Sequence, residues 1–114
     1  RRSNTQSTVA VLEVGDLVLN QARRELHRDD KLIELTSTEF SILQMLLQRS
    51  GDIVEKKDLY LAALGREPVA YDRSIDTLIS KLRGKLAAGG ISRDCIRSLR
   101  GHGYVLDKHT LEEE

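Results

Sequence analysis

Tryptophan is absent, and cysteine, methionine, phenylalanine and proline occur once each. The lone cysteine, Cys95, excludes an internal disulfide and suits a reducing compartment such as the cytoplasm. The lone proline, Pro68, marks a loop. One phenylalanine and three tyrosines are too few for a platform on which single-stranded bases stack, so Tyr60, Tyr71 and Tyr104 read as core or cap residues. No apolar run reaches the length of a membrane span. Arg1-Arg2 leads into polar Ser3-Asn4-Thr5-Gln6-Ser7, which is not a signal peptide. His27, His102 and His109 are scattered away from Cys95, against a zinc site. Gly101-His102-Gly103 is too short for a nucleotide-binding loop. Asp72 and Asp76 stand one helical turn apart; helix capping and an ion pair with Arg73 explain them better than a metal does. No constellation supports an enzyme, and no cofactor or metal is expected.

Net charge is also missing, with 18 basic and 18 acidic residues. Its distribution is uneven. From Arg66 to Val105 there are eight basic residues (Arg66, Arg73, Lys81, Arg83, Lys85, Arg93, Arg97, Arg100) against four acids (Glu67, Asp72, Asp76, Asp94). A neutral chain with a basic segment of this kind can present a phosphate-binding face. The 114 residues fit one domain, expected over 9–107, with 1–8 as a linker remnant and 108–114, ending in Glu112-Glu113-Glu114, as a solvated tail.

Four strand-like pieces open the chain: Val9–Val14, Leu17–Asn20, Arg24–Arg28 and Lys31–Leu35. Turn residues at Gly15-Asp16, Gln21-Ala22 and Asp29-Asp30 separate them, as in an antiparallel meander. Thr36-Ser37-Thr38-Glu39 fits a capping box for a first helix that carries Phe40, Leu43 and Leu47 and ends at Gly51. Ile53-Val54 is short and extended. A second helix runs from Lys56 to Leu64 and closes on Gly65. A third spans Tyr71 to Leu86. At roughly 100° per residue, Ile75, Ile79, Leu82 and Leu86 share a core stripe. Arg73, Thr77, Ser80 and Gly84 face the other way, with Lys81 and Asp76 on the flanks. Cys95–Arg100 and Tyr104–Leu106 then flank a Gly-rich turn and read as a β-hairpin, with Cys95 a half-buried strand residue.

Three helices whose last shows a small, polar, basic face fit a helix-turn-helix, where the last helix enters the major groove. Any amphipathic helix has a solvated face, so the helix alone is weak evidence. A basic, Gly-tipped hairpin directly after it strengthens the case, because glycines allow close approach to phosphates and an arginine can enter a narrow minor groove. The competing reading is a winged-helix module that binds a partner protein. Such a module needs an apolar outer face on the third helix, and only Leu78 at its edge supplies one.

The stretches Leu35-Thr36-Ser37-Thr38-Glu39-Phe40, Asp72-Arg73-Ser74-Ile75-Asp76, Ile79-Ser80-Lys81-Leu82-Arg83-Gly84-Lys85-Leu86 and Leu99-Arg100-Gly101-His102-Gly103-Tyr104 resemble the OmpR/PhoB family of response-regulator output domains. The family pattern is L-T-x-x-E-F, then D-R-x-V/I-D-x-H-I-x-x-L-R-x-K-L, then V-R-G-x-G-Y. The match runs from about Val9 to Leu106 in order and spacing, and Leu64-Gly65-Arg66 with Asp72-Arg73 resembles the CpxR-like envelope-stress subgroup. The resemblance implies an α+β winged helix-turn-helix, with a four-stranded antiparallel N-terminal sheet, three helices and a C-terminal hairpin wing. It implies sequence-specific binding of double-stranded DNA, at direct-repeat half-sites, as the output of a two-component system. Arg73, Thr77, Leu78, Lys81 and Arg83 would touch DNA from the third helix. Ser98 would meet a phosphate, and Arg100 the minor groove. Gly65, Arg66, Glu67, Pro68, Val69 and Ala70 would form the loop that contacts RNA polymerase. A receiver domain and its sensor kinase are the other implied partners. Three positions depart from the family. Leu78 replaces a common histidine, turning a hydrogen bond into an apolar contact. Lys81 replaces arginine, so a bidentate contact becomes a point charge. Glu55 stands where serine caps the second helix; it should cap less well, although its charge suits the dipole.

Overall fold

In the computed structural model, which describes residues 11–14 and 17–107, a four-stranded antiparallel meander opens the chain: β1 (Val11–Val14), β2 (Leu17–Asn20), β3 (Glu25–Arg28) and β4 (Lys31–Ile33). The expected linker at 1–8, the first two residues of the first strand, the Gly15-Asp16 turn, the 108–114 tail and His109 lie outside the described residues. The register aligns Leu12, Leu19, Leu26 and Ile33 across all four strands. Leu19, Leu26 and Ile33 are buried, and Leu12 packs against the same cluster. Each step across the sheet is seven residues of chain, so one leucine or isoleucine per hairpin arm suffices to mark the inner face. Asp29 and Asp30 both adopt positive φ, 51° and 69°, the backbone of a two-residue turn that matches strand twist.

Helix α1 (Ser37–Gln48) begins with the expected capping box. Thr36 Oγ1 accepts from the Glu39 amide at 3.3 Å, and Glu39 Oε1 accepts from the Thr36 amide at 2.9 Å. Strand β5 (Ile53–Val54) follows, then α2 (Lys56–Leu64), closed by Gly65 in the left-handed conformation with its amide donating to Leu61 O. Glu55 stands at the start of α2 without a side-chain capping bond, as its sequence position implied.

Helix α3 is Ser74–Ala88, three residues later than the expected start at Tyr71 and two longer at its end. The cause is local. Tyr71 has φ 60°, incompatible with a helix, and the Asp72 carboxylate accepts the Ser74 amide at 3.0 Å, so capping chemistry sits where the pattern suggested helix. The far end closes through Gly90 at φ 90°: Gly90 donates to Ala87 O, Ile91 donates to Leu86 O, and Ile91 and Leu86 are both buried. This is a Schellman stop with its hydrophobic contact.

A 3-10 turn (Arg93–Cys95) leads into the hairpin β6 (Ile96–Leu99) and β7 (Gly103–Leu106). β7 pairs on its other side with β5, giving a second sheet in the order β5-β7-β6. Cys95 belongs to the turn and is fully buried, not a half-buried strand residue. One core joins both sheets and all three helices. Phe40, Leu43, Leu47, Ile75, Ile79, Leu82 and Leu86 lie in it together, as the helical spacing implied.

Candidate nucleic-acid interface

With its core stripe buried, α3 presents Arg73, Thr77, Ser80 and Lys81 as exposed residues. None is bulky and apolar. Leu78 is half-buried and packs against the core, so it adds little apolar surface to that face. Gly84 is half-buried, with Arg93 Nη1 close above it. The hairpin exposes Arg97, Ser98, Arg100, Gly101 and His102. Its turn is closed by the His102 amide donating to Leu99 O at 2.9 Å, with Gly101 at φ 80°. Lys81 and Arg100 make no ion pair with any described residue, which leaves both charges available to an anion.

The hairpin is tied to α3 at two points, in its first turn and just past its middle. Near the start, the Tyr104 hydroxyl donates to the Asp76 carboxylate, which Lys56 Nζ also approaches at 3.1 Å. Burial raises the Asp76 carboxyl's pKa, but those two donors outweigh it and hold the group below its usual value. Just past the middle of the helix, Arg83 donates from Nε at 3.1 Å and from Nη2 at 2.7 Å to the Ile96 carbonyl, with its guanidinium 6.0 Å from the Tyr104 ring centre. Arg83, Ser98, Arg93, Arg97, Asp94 and Asp107 line a recess of about 650 Å³ between the end of α3 and β6. Two of the residues named from sequence, Arg83 and Ser98, therefore meet there. Arg73, Thr77 and Lys81 stand on the open helix face, and Arg100 at the hairpin turn.

Sequence reasoning counted Arg93 and Arg97 as basic but assigned neither a place in a site. It also passed over Lys56 and Lys57, which with Glu55, Ile53, Gly101 and His102 line a second recess of about 500 Å³ between the start of α2 and the hairpin tip. The β5–β7 pairing and the bonds of Lys56 and Tyr104 to Asp76 bring these segments together; the sequence shows Ile53-Val54 as extended but not which strand it pairs with.

The loop between α2 and α3 is organised by Asp72. Its Oδ2 accepts from Arg66 Nη1 at 2.7 Å and from the Val69 amide at 3.3 Å, while Oδ1 receives the Ser74 amide. The Arg66 bond holds its carboxyl far below the ordinary carboxylate range. The expected pairing of Asp72 and Asp76 with Arg73 gives way to Arg66 and Lys56 as the bonded partners. Arg66 also lies over the Tyr60 ring at 5.5 Å. All residues from Gly65 to Ala70 are exposed, and Tyr71 is 99% exposed. Tyr71 is thus neither core nor cap, whereas Tyr60 and Tyr104 are buried.

Among the described residues no helix is long and apolar enough to cross a membrane, and no group of histidine, cysteine and acidic side chains could hold a metal. The family model described as "Transcriptional regulatory protein, C terminal" matches residues 29–106. The transcriptional regulatory protein CpxR of Escherichia coli strain K12 is 38% identical over 106 residues, 93% of this chain and 46% of that protein. The regulatory protein VirG of Rhizobium rhizogenes is 39% identical over 94 residues, 82% of this chain and 39% of that protein. The chain thus spans about half the length of the curated relatives it matches, or less. Among solved structures, the DNA-binding domain of Escherichia coli CpxR superposes with a TM-score of 0.79 at 39% identity, covering 85% of this chain and 95% of that one. The RstA DNA-binding domain of Klebsiella pneumoniae, solved in complex with the RstA box, gives 0.78 at 26% identity and covers 87% and 98%. The chain belongs to this family of C-terminal domains of transcriptional regulatory proteins, the OmpR/PhoB type that its motifs resemble.

Proposed function

We propose that the chain binds double-stranded DNA in a sequence-specific way, as the output domain of a two-component response regulator. The observation that carries this reading is the exposed face of α3, small, polar and basic, beside a basic hairpin bonded at two points to the same helix. The solved relatives described as DNA-binding domains support it. In this reading α3 enters the major groove with Arg73, Thr77, Leu78 and Lys81. Ser98 meets a phosphate, and Arg100 enters the minor groove. Direct-repeat half-sites, a receiver domain and a sensor kinase complete the proposal for the whole regulator. The loop from Gly65 to Ala70 contacts RNA polymerase, with exposed Val69 as its apolar point and exposed Tyr71 directly after it.

Selection of bound duplexes from a random library at two salt concentrations tests this. If about four to six phosphates are neutralised, the slope of log affinity against log salt is about −4 to −5. Enrichment of no sequence, or salt-independent binding, contradicts the reading.

A further inference from the structure

Arg83 lies among the family's DNA-contact positions, yet its planar fork is turned inward, with two donors on the single carbonyl oxygen of Ile96. We propose that Arg83 is a positioning residue, which fixes the angle of the hairpin to α3 so that Arg100 reaches DNA, and is not itself a phosphate ligand. The proposal rests on the DNA-binding reading above.

The geometry supplies the argument. The hairpin has two attachments to α3, seven residues apart along the helix, a span of roughly 10 Å: Tyr104 to Asp76, and Ile96 to Arg83. One attachment is a pivot; two prevent rotation about it. Withdrawing Arg83 toward a phosphate would strand the Ile96 carbonyl without its charged donors, in a strand whose Ile96 side chain is already buried. A lysine could offer that carbonyl only a single point donor, whereas the guanidinium fork holds both direction and distance. Arg93 and Arg97 share the recess beside Arg83 with Asp94 and Asp107, and Arg97 pairs with Asp107 at 3.8 Å, so the recess carries no surplus positive charge beyond that of Arg83 to draw a phosphate in.

The test has two parts, both on the full 114-residue chain. In the free domain, residual dipolar couplings report the orientation of β6 and β7 relative to α3. Arg83→Gln should broaden or shift that orientation while α1 and the first sheet stay as they are; an unchanged orientation overturns the proposal. On a duplex carrying the selected sequence, Arg83→Gln should weaken binding about tenfold. The loss should nearly vanish in an Arg100→Ala background, because the residue acts through Arg100. Additive losses overturn it, since an independent phosphate ligand behaves in that way. A merely destabilising variant lowers affinity equally in both backgrounds. Should Arg83→Gln fail to fold, Arg83→Lys carries the same cycle: a phosphate ligand replaced by lysine loses little, whereas the strut still loses its bidentate bond. A parent chain that binds no duplex overturns the DNA-binding reading and the consequence for Arg100, while the couplings still decide whether Arg83 orients the hairpin.

Discussion

At Gly103 a single added carbon would have nowhere to go. A Cβ there would stand 2.1 Å from the Val54 carbonyl oxygen, and φ is 146°, a conformation that side-chain-bearing residues rarely adopt. β7 approaches β5 closely at this point because glycine allows it. Gly103→Ala should therefore cost about 3 kcal/mol or more by denaturant titration, and a loss under 1 kcal/mol would show that β5 yields easily. Cys95 makes a second prediction. Burial pushes its thiol up to about 11, with Arg83 only partly opposing the shift. A thiol reagent at pH 8 should leave the native chain unlabelled and modify Cys95 on unfolding; fast native labelling would contradict its enclosure. Neither environment was legible from the sequence. Gly103 read as turn chemistry and Cys95 as strand, because the neighbour that defines each is remote in the chain. Tyr71 differs in the opposite way: an aromatic beside an amphipathic pattern looks like core, yet it stands 99% exposed, at a positive φ that breaks the helical phase.

Helices with a full apolar stripe were the most legible elements. The stripe Ile75, Ile79, Leu82 and Leu86 fixed the phase of α3, and all four are fully buried. Leu82→Ala should cost about 2–5 kcal/mol by the same titration. Element ends were less legible, since they depend on which polar side chain wins a backbone donor. Asp72 wins at the start of α3 and orders the preceding loop with the same carboxylate. Asp72→Asn should speed hydrogen exchange at the Val69 and Ser74 amides while α1 exchanges as before. Unchanged exchange at both would show that the loop holds its form without the Arg66 bond. The face of α3 was visible in the sequence; its bonds to the hairpin were not, because Asp76, Arg83, Ile96 and Tyr104 come together only through tertiary packing.

For the molecule as a whole, three carboxyls among the described residues are held below their usual range and shape the response to acid. Glu39 is 2% exposed and bonded to Lys85 at 2.6 Å, which links α1 to α3. Burial raises its pKa, but Lys85 and Thr36 outweigh that and hold it below the ordinary value. Asp72 and Asp76 are lowered as well. A carboxyl whose pKa is lower in the folded state stabilises fully above its unfolded pKa, and that stability is lost as pH falls through the folded one. The melting temperature should thus be level around neutrality and decline below about pH 4. Glu39→Gln should flatten the decline, and an acid response identical to the parent would remove Glu39 from the account. The β5–β7 pairing carries one more consequence, for the order in which the chain can be made. Val54 waits for Tyr104, fifty positions later in the sequence, whereas the strands of the meander meet neighbours only a few residues away. A chain emerging from the ribosome can close the meander early, but the core lacks Tyr104 and Leu106 until the last strand is synthesised. The hairpin proposed to enter DNA is thus also the segment that completes the protein's own interior.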